Sequence, residues 1–369
     1  MRIHIGPSRM TSSRIRVDEV LETHRAFWHT RGLAKPLLNV ELEGRTHARR
    51  SLPRKLEPLK LPLKQGIATT GMPLEPWMLE PEKIHPIPED TRESLDVPRT
   101  CGDVFQVLAP YYKIPWVEAI AGCSLVVKGD TIWSKPYVDR SKLGKERIEI
   151  ARSQAWIDKL VDFTAYLVHG LFPGYLVTQT LMRGPTDLLN AIMGVENMCI
   201  GMYMFPQEMR DILSKLTDVL VEAASTQLKA IPKFDGGCCN PFGLWAPGTS
   251  VRTQDDAAVH LSPRMYEEFI LPCEKRIVEP FDYTVRHVHS DCIRIVDMLL
   301  DMTDLSAIEI TVDEFPYPRN LDALTPVLQK IQTRKPLIVS GVFTQNEFDH
   351  IAGALSPNGL LLDAEIKQG

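Results

Sequence analysis

Four short apolar segments near the end of the chain decide its fold: Thr284–His289 (TVRHVH), Ala307–Val312 (AIEITV), Leu337–Phe343 (LIVSGVF) and Leu360–Leu362 (LLL). Each of the first three precedes a segment with the spacing of an amphipathic helix, at residues 293–300, 321–331 and 347–355. Strands that alternate with helices lie parallel, because the helix returns the chain to the starting edge of the sheet. This stretch therefore predicts a parallel sheet covered by helices.

Further candidate strands extend the alternation towards the N-terminus. Together with the four above, they lie near residues 37, 124, 175, 237, 285, 307, 337 and 360, which makes eight. Eight parallel strands with intervening helices predict a closed (β/α)8 barrel of the TIM type, whose active site lies at the C-terminal ends of the strands. A doubly wound open sheet is the alternative, but no glycine-rich phosphate loop follows any candidate strand.

We predict a single domain over residues 1–369, built from three parts. Residues 1–35 form an N-terminal helical extension, residues 44–100 a proline-rich irregular excursion around the body, and residues 101–369 the main barrel body. Within the body, the clearest helix covers residues 206–231, where apolar side chains recur on one face. A second helix is predicted to begin at Ser262, because serine followed by proline is a typical helix start.

The last strand poses a packing problem, because too little chain follows Leu360–Leu362 to form an eighth helix. The apolar outer face of that strand needs a cover, since a large exposed apolar patch marks an interface. Two covers are available: the amphipathic segment Val17–Arg31 and a second subunit. We expect a homodimer, although the N-terminal helix alone is sufficient as a cover.

Composition excludes several functional classes. Apolar residues make up 44% and charged residues 24% of the chain, which is the balance of a globular protein with a sizeable core. The net charge of -5 gives no basic field for nucleic acid. No apolar run is long enough to span a bilayer, and the N-terminus lacks the apolar core of a signal peptide. Seven cysteines without framework spacing indicate a reducing compartment, so we expect a cytoplasmic protein.

Four local patterns carry a family resemblance: Ile114–Cys123 with Ile132-Trp133; Arg183-Gly184-Pro185 with Phe205–Met209; Gln254-Asp255-Asp256 with Leu261–Pro272; and His287-Val288-His289-Ser290. Together they resemble the uroporphyrinogen decarboxylase superfamily, which also contains the cobalamin-linked methyltransferases. In the last pattern, methyltransferase members typically carry His-x-Cys-Gly. Two family features are missing: the arginine-rich N-terminal signature of the decarboxylases, and the zinc-binding cysteine near the last strand, where this chain has Asp363 and Glu365.

The histidines His287 and His289 are the sharpest chemical signal. Residues two apart on a strand face the same side, so both imidazoles converge on one point. Zinc binds imidazole nitrogen well, and a third ligand would leave one position open for substrate. Cys292, near the start of the next helix, is a candidate third ligand; the alternatives are Glu309, Asp363 and Glu365. Without a metal, the two histidines would bind substrate directly.

Other candidate residues fall into two groups. Asp256 and Glu309 are candidate catalytic acids or bases, and Arg183 could clamp a substrate carboxylate through two parallel hydrogen bonds. The glycine- and aromatic-rich segment 234–245 and the loop near residue 116 are predicted to line the substrate pocket. Their candidate substrate-binding residues are Trp245, Phe242, Cys239, Trp116 and Glu118.

Three functions compete for this constellation. The resemblance favours a methyltransferase or demethylase that activates its small-molecule substrate on zinc and exchanges the methyl group with a corrinoid carried by a partner protein. The alternative is a metal-free decarboxylase of the uroporphyrinogen type, with Asp256 as the essential carboxylate. A non-catalytic barrel is the third possibility. Metal content separates the first two classes.

Overall fold

The computed structural model describes residues 14–42, 61–88, 96–313 and 320–367, and its centre is a seven-stranded parallel sheet. The strands of this sheet are β1 (Leu37–Leu42), β2 (Met182–Arg183), β3 (Ser250–Gln254), β4 (Tyr283–His289), β5 (Ala307–Val312), β6 (Leu337–Phe343) and β7 (Leu360–Ile366). Their spatial order is β1-β7-β6-β5-β4-β3-β2. The four segments that decided the prediction are confirmed as four neighbouring strands, β4 to β7.

Three of the eight predicted strands lie outside the seven-stranded sheet, and the one near residue 175 is Leu176–Val177, in a separate two-stranded parallel sheet. The segment near residue 124 forms an antiparallel hairpin, Ser124–Lys128 with Thr131–Lys135, and the segment near 237 forms another, Cys238–Cys239 with Trp245–Ala246. Hairpins bring their strands together within a few residues, so they need no helical crossover. The remaining short pairs are Pro62–Leu63 with Gly66–Ile67, Pro73–Leu74 with Ser124–Lys128, Thr100–Cys101 with Val104–Phe105, and the parallel pair Val107–Leu108 with Leu176–Val177.

Hydrogen bonds through two further chain segments link β1, one edge strand of the sheet, to β3, the neighbour of the other edge strand β2. Leu38 of β1 accepts a backbone hydrogen bond from Asp103 (2.9 Å), at the start of residues 103–108. This segment pairs with Leu176–Val177, and the chain continues to Gln179. The Gln179 amide then accepts from the backbone N–H of Arg252 (2.8 Å) and donates to its carbonyl (2.5 Å). A side-chain amide therefore takes the place of a backbone partner on β3.

Ten α-helices of five or more residues lie within the described residues. The first eight are α1 (Arg14–Trp28), α2 (Trp116–Ile120), α3 (Gln154–Leu171), α4 (Pro185–Met193), α5 (Val195–Met204), α6 (Pro206–Lys229), α7 (Leu271–Val278) and α8 (Val296–Leu300). Two further helices, α9 (Leu321–Gln332) and α10 (Gln345–Ala354), cover the last strands. Shorter helical turns are Pro76–Met78, Pro81–Ile84, Arg140–Lys142, Asp256–His260, Pro263–Met265, Tyr266–Ile270 and Ile293–Ile295.

The helix predictions hold well. The helix expected over 206–231 is α6, and Ser262 caps the next helical stretch by accepting a hydrogen bond from the Met265 amide (3.2 Å). Of the predicted excursion, residues 44–60 and 89–95 lie outside the described residues, as do residues 1–13 of the extension. No helix in the described ranges is both long enough and apolar enough to cross a membrane.

Helix α1 closes the N-terminal end of the sheet. Its Phe27 and Trp28 form a buried apolar cluster with one inward-facing residue from each of five strands: Leu37, Val285, Ala307, Ile338 and Leu361. On the other face of β7, Leu360 and Leu362 are buried, and α10 packs against this strand. The N-terminal helix therefore contacts the inner side of the last strand, and α10 covers its outer side. The homodimer stays a prediction.

Candidate metal centre and substrate cavity

A cavity of about 880 Å³ lies at the C-terminal ends of the sheet strands. This volume is within the range of small-molecule binding sites. Its polar wall is formed by side chains from successive strands: Arg183, Arg252, Gln254, His287, His289, Glu309, Thr311 and Ser340. Barrel enzymes keep their chemistry at this end of the strands. The structure thus places the predicted His287, His289, Glu309 and Arg183 around one cavity.

His287 is held by a carboxylate on the neighbouring strand. Its Nδ1 lies 3.1 Å from Oε2 of Glu309, and β4 and β5 pair these two residues directly. Glu309 is almost fully buried and also accepts hydrogen bonds from Thr311 (3.1 Å) and Ser340 (2.8 Å). Burial lowers the pKa of His287, so its imidazole is neutral and its Nε2 carries a lone pair.

His289 is held in the same way by a second carboxylate. Its Nδ1 lies 3.0 Å from both oxygens of Asp313, just beyond the end of β5. Asp313 is fixed in turn by the hydroxyl of Ser290 (3.2 Å). Contact with Asp256 and Asp313 raises the pKa of His289 to about 10, despite the opposing effect of burial. Its Nε2 points to the same place as that of His287.

Asp256 completes a triad with the two histidines. Its Oδ1 lies 3.4 Å from His289 Nε2 and 3.8 Å from His287 Nε2, and one ligand atom from each residue falls within 4.8 Å of the others. Burial opposes ionisation of Asp256, but the neighbouring histidines hold its pKa well below the ordinary value. Oδ1 is buried and has no hydrogen-bond partner among the described residues. Asp256 is therefore an anionic group whose Oδ1 lies beside the His289 imidazole and faces the same point as both Nε2 atoms.

The triad of Asp256, His287 and His289 fits a divalent metal ion. Imidazoles that bind metals almost always donate their second ring N–H to a carboxylate, and both histidines do so here. The two Nε2 atoms and the carboxylate Oδ1 would repel one another if nothing positive lay between them. A proton on His289 supplies that charge when no metal is bound, so metal and proton compete for the site. Two nitrogens and one oxygen match the ligand preference of catalytic zinc.

The adjacent Asp255 points away from the triad. It lies against the buried Arg286 (3.4 Å), and its Oδ1 accepts a hydrogen bond from the Asp187 backbone amide (3.0 Å). Burial raises its pKa to about 7. A close approach at Gly184 shapes the same loop, because a Cβ there would lie 2.8 Å from the Gln254 carbonyl. Asp255 thus anchors the loop that carries Asp256.

Arg183 lines the cavity beside the triad. Within the described part of the chain its guanidinium makes one contact, an ion pair from Nη1 to Oε1 of the buried Glu118 at 3.4 Å. The side chain is 43% exposed although its surroundings are enclosed, so the exposed surface faces the cavity. The charge of Glu118 raises the pKa of Arg183 further. Donors that remain open can bind an anionic group of a substrate.

Of the five predicted substrate-binding residues, only Glu118 and Phe242 line the cavity. Trp116 is fully buried, packs against Trp156 and Phe163, and donates its indole N–H to the Tyr111 carbonyl (2.9 Å). Trp245 and Cys239 pair across a buried hairpin under α1. These three side chains lie in the core because their hairpin and helix face inward, a direction that composition alone does not reveal.

The predicted third metal ligands lie outside the triad. Cys292 is buried next to it, and burial raises the pKa of its thiol, which disfavours the thiolate needed for zinc binding. Asp363 accepts a hydrogen bond from Asn39 on β1. Glu365 lies two residues further along β7. Glu309 lies 3.1 Å from His287 Nδ1, on the opposite side of the ring from the Nε2 atom that faces Asp256, so it is placed to orient the imidazole.

Sequence reasoning missed three residues of this site: Asp313, Gln254 and Arg252. Asp313 follows the end of β5 directly, so the rule that chemistry lies just past a strand could have found it. Gln254 belongs to a motif that was singled out for its aspartates. Arg252 lies on a strand that the apolar pattern did not reveal, since Ser250–Gln254 is mostly polar.

Comparisons with known proteins identify a fold. No protein-family profile matches the chain, and no curated protein matches its sequence. Among solved structures, a methyltransferase from Methanosarcina mazei superposes with a TM-score of 0.51 at 14% sequence identity. The match covers 78% of this chain and 80% of the methyltransferase. The chain therefore shares its α/β fold with a methyltransferase.

Proposed function

We propose that this chain is a zinc-dependent methyltransferase or demethylase of the uroporphyrinogen decarboxylase superfamily. The single observation that carries the proposal is the triad of Asp256, His287 and His289 at the edge of a substrate-sized cavity. The shared fold with a methyltransferase supports the reaction class, by analogy of fold. We further propose that residues 103–108 and 176–183 complete an eight-stranded barrel between β1 and β3.

The residues of the triad would hold the metal, and their neighbours would keep it in place. Glu309 and Asp313 fix the ring orientations of His287 and His289, so both Nε2 atoms stay directed at one point. Zinc in such a site acts as a Lewis acid that lowers the pKa of a substrate hydroxyl or thiol. With three protein ligands, a fourth position remains for the substrate.

The remaining cavity residues would bind the substrate. Arg183 offers hydrogen-bond donors to a carboxylate or another anionic group, and Glu118 fixes the guanidinium from behind. Phe242, Ile132 and Ile114 supply apolar wall for the body of the substrate. Orienting the substrate against the triad at two points would reduce the entropy cost of the reaction.

Methyl transfer needs a second reactant, for which we propose a corrinoid carried by a partner protein. The corrinoid, in its reduced state, would supply the electron pair that accepts the methyl group, or would supply the methyl group in the reverse direction. The triad would hold the metal that stabilises the demethylated oxygen or sulfur of the substrate as an anion. We propose that the protein works in the cytoplasm and as a homodimer.

Metal analysis tests this function. Protein purified without chelator should contain zinc at close to one equivalent per chain, measured by inductively coupled plasma mass spectrometry. The double variant His287→Ala/His289→Ala should lose it, because two of three ligands are gone. The matched control is His29→Ala/His350→Ala, which removes two exposed histidines outside the cavity and should retain full zinc content.

Two results would contradict the proposal. Zinc-free protein that takes up no added zinc would leave the histidines as direct substrate contacts and favour the metal-free decarboxylase. Equal zinc loss in both double variants would show that the metal binds elsewhere. Methyl exchange with a methylated corrinoid, followed by the visible absorption of the cobalt, then tests the reaction itself.

A further inference from the structure

Two chains of hydrogen bonds connect Arg252 to the triad, and we call them the His287 arm and the Asp256 arm. On one arm, Arg252 Nε donates to Glu309 Oε2 (2.8 Å), the oxygen that faces His287. On the other arm, Arg252 Nη1 donates to Gln254 Oε1 (2.7 Å), and Gln254 Nε2 donates to Asp256 Oδ2 (2.8 Å). One guanidinium is thus connected to two of the three triad residues without contacting either.

The second arm decides which oxygen of Asp256 faces the histidines. Gln254 occupies Oδ2, so Oδ1 is the oxygen that lies near both Nε2 atoms. The orientation of the Gln254 amide is itself fixed. If the amide turned by 180°, its oxygen would face the Asp256 carboxylate and its NH₂ group would face the guanidinium, which is unfavourable on both sides. Arg252 therefore sets the Gln254 amide, and the amide sets Asp256.

Arg252 is well suited to this task because it is held on several sides. Gln179 binds its backbone N–H and carbonyl, and its guanidinium lies over the Phe242 ring, 5.6 Å from the centroid. The side chain is largely buried, as are Gln254 and Glu309. Packing and satisfied hydrogen bonds of this kind keep a functional group in one geometry.

We propose that Gln254 is a positioning residue for the metal site, and that Arg252 couples the Asp256 arm to the His287 arm. The inference rests on the proposed function, since it assumes that the triad binds a metal. Loss of a side chain that hydrogen-bonds to a metal ligand typically weakens metal binding 10- to 100-fold. Gln254 should therefore control zinc affinity although it is not itself a ligand.

The experiment compares two buried glutamines. Gln254→Met keeps the length of the side chain and removes both hydrogen bonds, and it should raise the zinc Kd about 10- to 100-fold in a chelator competition assay. The control is Gln227→Met. Gln227 is fully buried and also bridges two partners, Thr164 and the Thr180 amide, but within the described part of the chain none of its hydrogen bonds goes to Arg252, Gln254, Glu309 or the triad. This control should destabilise the fold and leave the zinc Kd within about twofold of wild type.

A spectroscopic measurement separates geometry from stability. With Co²⁺ in place of zinc, the visible absorption spectrum should change in Gln254→Met and stay unchanged in Gln227→Met. If Gln254→Met does not fold, Arg252→Lys gives the same test, because lysine keeps the charge near Glu309 and cannot reach both arms. An unchanged zinc Kd and Co²⁺ spectrum in the Gln254 or Arg252 variant would overturn the inference alone. Wild-type protein that binds no zinc would overturn it together with the proposed function.

Discussion

The two ends of the central sheet are built from the same strands but have opposite chemistry. Residues two apart on a strand face the same side, so each strand carries one row of inward side chains from end to end. At the N-terminal end these rows begin with Val285, Ala307 and Ile338. Two residues further on, the same rows continue with His287, Glu309 and Ser340.

On each of these strands, the side chain that packs in the apolar cluster and the side chain that lines the cavity are only two residues apart. The apolar end is sealed by α1 and excludes water. The polar end opens into a cavity and keeps a network of charged groups in hydrogen-bonded order. An isolated buried charge would be costly, but here each carboxylate has a cationic or hydrogen-bonding partner.

Histidines illustrate the same contrast. His24, at the apolar end, is fully buried, and burial lowers its pKa to about 4. His289, at the polar end, contacts two carboxylates, and its pKa is raised to about 10. His24 is therefore a neutral hydrogen-bonding bridge, and His289 is a cation. The neighbours decide the charge, and the residue type does not.

Removing a large side chain from the apolar end should have the largest effect on the free energy of unfolding and no effect on zinc affinity. Phe27→Ala should lower the free energy of unfolding by about 3–5 kcal/mol, because it leaves a cavity among Leu37, Ile338 and Leu361. Urea denaturation measures this loss. The zinc Kd of the folded protein should stay unchanged. The control Ile15→Ala removes an exposed side chain of the same helix and should change stability by less than about 0.5 kcal/mol. A small loss for Phe27→Ala would refute the sealing role of α1.

Acidification should weaken the apolar end through His24. Its Nδ1 accepts from the Trp245 amide (2.9 Å) and its Nε2 lies 2.8 Å from the Asp103 carbonyl, so the neutral ring bridges α1 to two segments. The folded pKa of about 4 lies below the ordinary histidine pKa of 6.5. This stability is therefore present above pH 6.5 and is lost as the pH falls towards 4. The loss between pH 7 and pH 5 should be about 2 kcal/mol.

The measurement is a pair of denaturation series at the two pH values. His24→Gln should remove this part of the pH dependence, because glutamine does not titrate in that range. His350→Gln, which changes an exposed histidine, should show the same pH dependence as wild type. If His24→Gln and wild type lose equal stability on acidification, the neutral bridge is not the source of the effect.

The sequence pattern revealed some strands of the central sheet and missed others. Strands β4 to β7 were found because each has a short apolar run between helices, and His287 and His289 stood out because a single strand carries both. Strand β3 was missed, since its inward positions hold Arg252 and Gln254 and give it no apolar signal. The hairpins near 124 and 237 were taken for sheet strands instead, because apolar runs do not reveal the direction of pairing.

The third member of the triad could not be predicted from spacing. Asp256 lies on a different strand end from the histidines, and only the fold brings it to them. Cys292 was a candidate because it lies near the start of the next helix, where unpaired backbone amides favour a thiolate. In the structure, Cys292 is buried in the apolar core, between the end of β4 and the helical turn Ile293–Ile295. A position near a helix start was therefore the weaker guide to the third member.

The smallest expected effect concerns Cys292. It tests whether this cysteine belongs to the metal site or only to the apolar core. Cys292→Ala should cost about 1 kcal/mol of stability, because it removes one buried sulfur atom. The zinc Kd should stay within about twofold of wild type, since a buried thiol with a raised pKa resists the deprotonation that metal binding requires. Asp256→Asn is the matched comparison: it preserves the size of the side chain, removes the anionic ligand, and should weaken zinc binding at least about tenfold. The reverse result, with zinc lost in Cys292→Ala and kept in Asp256→Asn, would assign the third position to the cysteine and would require the strand end to rearrange when the metal binds.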